Sequence, residues 1–127
     1  MHRLELLETI DESVRQAIAD GNHQLSQQQL FGRADSQLRQ LPVAGGSPPT
    51  AGLLLRRHRV ALQKELCIDG DPRPMPERLE DEVRELTRAV IVAVGVGEGF
   101  SVETAVLLAL GVRAGGLDQL CNEFMSG

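Results

Sequence analysis

Arg56, Arg57, His58 and Arg59, with Lys64 close behind, make the densest basic cluster of this chain. Guanidinium groups suit phosphates and other anions, because each presents a planar fork of donors that stays charged. Four consecutive helical residues point in nearly all directions, however, so they do not build one flat patch. Arg56, Arg57 and Arg59 are therefore the candidate nucleic-acid or anion contacts. The competing expectation is a solvated face pairing with carboxylates such as Glu80 and Glu82. Other reactive groups are scattered. His2, His23 and His58 are far apart, and neither Cys67 nor Cys121 has a partner at metal-ligand spacing. No metal and no cofactor are expected. Asp69-Gly70-Asp71 is too short for a calcium loop and reads as a turn. A disulfide framework shows more cysteines than two, so Cys67 and Cys121 read as reduced, buried thiols. Ser13, Ser26, Ser36, Ser47, Ser101 and Ser126 have no histidine beside them in sequence. The expectation is a protein that is not an enzyme.

Composition narrows the classes further. A chain of 127 residues is one domain by length and can bury a core without metal or disulfides. Aromatic residues make up 2%, namely Phe31, Phe100 and Phe124. Stacking platforms for single-stranded nucleic acid or sugar need exposed rings, and these are lacking. The net charge of -5 opposes phosphate backbones on average. The start of the chain lacks the apolar run of a secretory signal, so a cytoplasmic location is expected.

From Ala89 to Val112 only Glu98, Ser101, Glu103 and Thr104 carry clearly polar side chains. An unbroken run of this kind would suggest a membrane span, but Gly95-Val96-Gly97-Glu98-Gly99 interrupts it. Two buried elements meeting at a turn are expected, and no membrane span. Backbone amides at that turn could hold an anion at a helix N-terminus. Glu98 opposes this, the third glycine of a dinucleotide fingerprint is displaced by one position, and the lysine of a P-loop is missing. Val90 to Val94 is β-branched and leaves strand or helix open. A strand here, followed by the glycines and a helix, would resemble part of a dinucleotide fold, but no further strands are in evidence to complete a sheet.

Val106, Leu110, Gly111, Val112, Leu117 and Leu120 fall where a helix-turn-helix places its core residues and turn glycine. The segment from Thr104 to Leu120 thus resembles a DNA-binding unit, which implies base contacts from residues up to 124. It departs from that pattern at Leu107, where a small residue is usual. It departs again in a recognition helix that starts Ala114-Gly115-Gly116 and carries Asp118 and Glu123.

The elements that must position these groups read as helices. Leu7, Ile10, Val14 and Ala17 recur at spacings of three and four over residues 2–20. Phe31, Ala34, Leu38 and Leu41 do so over 24–41, with Asp35 one turn before Arg39. A third helix is expected over 51–67. A fourth starts with Pro76 and buries Leu79, Val83, Leu86, Val90 and Ala93. A fifth is capped by Ser101, with Gly111 thinning its end, and a last short helix follows Gly115-Gly116. The predicted fold is therefore all-α: one small helical bundle of five or six helices. It comprises an N-terminal helical hairpin (1–41), a flexible Pro/Gly loop (42–52) that could act as a domain-swapping hinge, and a helical core (53–127).

Amphipathic faces without site chemistry suggest a small protein-interaction module, an adaptor, chaperone-like protein or regulatory subunit whose partner is another protein. A homodimer is expected. The predicted contact surface is Leu4, Leu7, Ile10 and Val14, on a helix bordering a flexible connection. The alternative is a DNA-binding regulator using residues 104–124.

Overall fold

The computed structural model describes residues 3–40, 49–95 and 101–126, the backbone alone at 3, 4 and 123–126. Seven α-helices account for about three quarters of it: α1 (Arg3–Ala19), α2 (Gln27–Leu38), α3 (Ala51–Arg57), α4 (Arg59–Leu66), α5 (Leu79–Val94), α6 (Val102–Gly115) and α7 (Leu117–Ser126). The fold is the all-α bundle the periodicity predicts, with more and shorter helices. Two residues each of β1 (Cys67–Ile68) and β2 (Asp71–Pro72) form a small antiparallel ladder. No helix of the described residues is long and apolar enough to cross a membrane.

The centre of the molecule is α6. Val102 and every residue from Thr104 to Val112 are buried. A helix that is apolar all round has no solvent face to choose, so it must be surrounded. Helices α2, α5 and α1 surround it. Two glycines on one side of α6 let α2 come close. A Cβ at Gly111 would strike the ring of Phe31, and one at Gly115 would strike the Gln27 side chain. The Gln27 amide then donates to the Gly111 carbonyl at 3.0 Å. At the other end, buried Thr104 pairs its hydroxyl with the Gln37 side chain. These two links run from opposite ends, so α2 and α6 are antiparallel.

Helix α5 is the amphipathic partner, burying Val83, Leu86, Thr87, Ala89 and Val90 against the core. Three carboxylates, Glu80, Asp81 and Glu82, occupy its first turn, where the helix dipole favours negative charge. Glu82 also receives the Arg113 guanidinium from the last turn of α6 at 2.7 Å. Arg84 joins Asp81, Glu80 and, across the interface, Asp11 of α1 at 2.6 Å.

Several expectations change. Residues 90–94 are helical, ending α5, which settles the strand-or-helix question. The fourth helix starts at Leu79 rather than Pro76. Residues 51–67 split into two helices at His58, whose φ of -109° and ψ of 17° leave the helical region. The second helix begins at Gln27, set by a reciprocal capping box between Ser26 and Gln29. Asp35 does not serve Arg39. Its carboxylate accepts from the Ala51 amide at 2.6 Å and so anchors the start of α3. Helix α1 packs on α5 and α6 alike, and helix α2 chiefly on α6. The hinge expected at 42–52 falls mostly outside the described residues, but Ala51 and Gly52 already belong to α3.

Candidate functional site

The contact face predicted on the first helix is largely interior. Ile10 is 2% exposed and Val14 is fully buried, both inside the hydrophobic core. Leu7 is half-buried, and the Leu4 side chain lies outside the described residues. In this fold Ile10 and Val14 hold α1 against α5 and α6 and are not available to a partner. The periodicity that marks them is the signature of core packing as much as of docking.

Exposed large apolar side chains are found instead at Val92 on α5, at 66% exposure, and on α4 and β1. Val60 is 55% exposed and Ile68 52% exposed. Val60, Gln63, Lys64 and Cys67 follow one another at spacings of three, one and three, which puts them on one face of α4 and its exit. That face meets α7. The Gln63 side-chain amide donates to the Leu120 carbonyl at 2.9 Å, and Cys67 is bridged to Cys121, with their Cα atoms 5.7 Å apart. The two reduced thiols expected from the sequence are thus one disulfide. The fold brings together cysteines 54 positions apart, and sequence spacing carries no trace of that proximity.

Between these groups lies an open hollow of about 520 Å³, lined by Val60, Gln63, Lys64, Asp69, Gly70 and the disulfide. The loop forming its far rim is a tight hairpin. Asp69 and Gly70 have φ of 52° and 83°, the left-handed pair that a two-residue primed turn requires. Asp-Gly is a favoured sequence for it, so the turn read at Asp69-Gly70-Asp71 is present, with a two-stranded ladder around it. The strands leave no periodic pattern in the sequence because each is two residues long. Gln63 is 5% exposed, and its Oε1 atom has no hydrogen-bond donor within the described residues.

The basic cluster is divided by the break at His58. Arg56 and Arg59 reach one cleft of about 200 Å³, whose walls include Phe31, Leu55, Leu62 and Leu120. Arg57 is exposed and is not part of that cleft. Arg59 already has an interaction partner. The expected pairing of this cluster with Glu80 or Glu82 is replaced at those carboxylates by Arg84 and Arg113.

The helix-turn-helix spacing has no matching turn at Gly111. Residues 102–115 form one continuous helix, Gly111 is buried beneath Phe31, and the chain turns at Gly116, whose φ is 93°. Gly95 ends α5 with φ of 95°, and the rest of the glycine cluster, residues 96–99, lies outside the described residues. Among the described residues no group of three histidine, cysteine or acidic side chains is placed to hold a metal ion. No protein-family model, curated protein or solved structure matches this chain.

Proposed function

We propose that this chain is a protein-interaction module whose contact surface is the corner formed by α4, β1 and α7. The observation that carries the reading is the pair of exposed aliphatic side chains, Val60 and Ile68, beside a hollow walled by a disulfide. Elsewhere the large aliphatic residues of α4 are interior: Leu62 is 0% and Leu66 2% exposed. Apolar side chains held in the open on a rigid support favour association, because docking removes their surface from water without first ordering the platform. The bridge restrains this corner and favours oxidising surroundings over the cytoplasm expected from the sequence. Self-association into a homodimer is the simplest form of the reading. A two-fold interface needs a self-complementary patch, and Lys64 and Asp69 supply opposite charges in the lining of the hollow.

The test is a photo-cross-linking residue placed at Val60 of the full chain in the cell that makes it, with Glu8 on α1 as the control position. A discrete adduct from position 60 that is missing from position 8 supports the module. Equal or no labelling from both overturns it. Sedimentation equilibrium at micromolar concentration then reads the self-associated form, which a Val60→Asp change should return to monomer mass.

A further inference from the structure

The cleft that Arg56 and Arg59 reach has no lining residue in common with the hollow at Val60. Two kinds of surface meet in it. Phe31, Leu55 and Leu120, each half-buried, bring apolar surface from α2, α3 and α7. The charged groups of the lining are both guanidinium, and no carboxylate lines the cleft among the described residues. In a chain of net charge -5 that is a local reversal of sign. Arg59 already has an interaction partner, whereas Arg56 is exposed and makes no hydrogen bond or ion pair among the described residues. Arg56 is therefore the cation with donors to offer, in a planar fork that matches a carboxylate. Gly52 lines the same cleft. It is helical, so no left-handed φ requires a glycine, and a Cβ there would meet nothing within 4 Å. Neither backbone nor packing accounts for a residue type that weakens a helix. Its missing side chain leaves the cleft open.

We propose that this cleft binds a small amphipathic monocarboxylate. The carboxylate accepts from the Arg56 guanidinium, and the apolar body lies against Phe31, Leu55 and Leu120, in the space that Gly52 leaves. An apolar wall with a few converging polar groups is the usual form of a small-molecule site. An apolar cavity of about 150 Å³ holds a benzene ring, so the 200 Å³ of this cleft suits a body of roughly five to seven carbons. The acidic chain as a whole repels multiply charged anions more than singly charged ones, which favours one carboxylate over a phosphate. A bare anion would leave the apolar wall in water, which favours a ligand with a body. The site stands independently of the interaction-module reading.

The experiment uses the full, disulfide-intact chain, labelled with ¹⁵N, and three probes. Hexanoate carries the head and the body, hexanamide the same body with an uncharged head, and acetate the head alone. Shifts confined to the amide signals of Leu55, Arg56, Gln119 and Leu120, with hexanoate binding about tenfold more tightly than either other probe, support the site. Arg56→Gln removes no bond among the described residues. It should bring hexanoate down to the affinity of hexanamide and leave hexanamide unchanged. Gly52→Leu grows into open space, so it should abolish binding of both while the midpoint of thermal unfolding holds or rises. Should that variant not fold, Arg56→Gln still decides. Equal binding of hexanoate and hexanamide to the unaltered chain overturns the proposal, because the cleft is then merely apolar. Acetate binding as tightly as hexanoate also overturns it, because the body then plays no part, and so does binding of none of the three. N-acetylglycylglycyl-leucine ends in the same head on a branched body and stands for the carboxyl terminus of a protein. Tighter binding of that peptide than of hexanoate would overturn the small-molecule assignment.

Discussion

Helices α1 and α4 present the same kind of sequence and meet opposite fates. Both carry aliphatic residues at helical spacing among charged ones. On α1, Ile10, Val14 and Ala17 are buried at 2%, 0% and 7% exposure. On α4 the spacing is met by Leu62 and Leu66 in the core, while Val60 stands off that stripe in solvent. An amphipathic pattern reports which face is buried when the chain folds, and so by itself it argues against that face being free for a partner. The residues that break the stripe are the more informative ones. Val60 has no place in the α4 core, yet it remains apolar.

The largest effect should come from placing a charge on each side of that contrast. Val14→Asp buries an unpaired carboxylate against α5 and α6. It should cost about 4 kcal/mol or more and unfold much of the population in a urea titration. Val60→Asp should change stability by less than about 0.5 kcal/mol. A Val14→Asp protein as stable as the unaltered chain would mean that α1 is not part of the core.

Next in size is the clamp on the α4 corner. Cys67 and Cys121 close a loop of 54 positions, so replacing both with serine should remove about 2–4 kcal/mol. Reduction by dithiothreitol should lower the midpoint of thermal unfolding in the unaltered chain and leave the double serine variant unmoved. An unchanged midpoint on reduction would show that the corner is held by packing alone.

Gly111→Ala sharpens the account of the central helix. The added methyl has the Phe31 ring in its place, so a loss of about 1–3 kcal/mol is expected despite alanine's better helix propensity. Phe31→Leu in the same chain should recover part of it, and the denaturant midpoints of the pair measure the coupling. Were Gly111 in a turn, as a helix-turn-helix would have it, the Phe31 change would make no difference.

The smallest effect is expected at the surface ion pairs. Arg84 is 31% and Asp11 40% exposed, so water screens their attraction. Arg84→Gln should cost no more than about 1 kcal/mol, shrinking further in high salt. A larger loss would mean that α1 is held to α5 by charge as well as by Ile10 and Val14.

Much of the fold is legible locally. Helix α5 shows a clean apolar stripe behind three first-turn carboxylates, and Ser101 caps α6 through the Thr104 amide at 3.1 Å. The Asp-Gly turn is legible too, because few sequences tolerate two consecutive positive φ values. The break at His58 is not, since neither neighbour is a glycine or proline and only the packing of α3 against α2 and of α4 against α5 and α7 requires it. Of the candidate site, the sequence marks the arginines and the two cysteines but not their relations. Gln63 leaves no signal at all, because its burial and its bond to the Leu120 carbonyl depend on how α4 meets α7.

Periodicity, caps and breakers act within a few residues, so the sequence alone determines that this chain is helical and which stretches carry the helices. Which helix lies at the centre is also readable, because Val102 to Val112 has almost no polar side to turn toward water. Partnership across the chain is a tertiary matter. The bridge from Cys67 to Cys121, the donation from Gln63 to Leu120 and the exposure of Val60 each depend on how distant segments share a limited core surface. That competition is settled only when all the helices are packed at once.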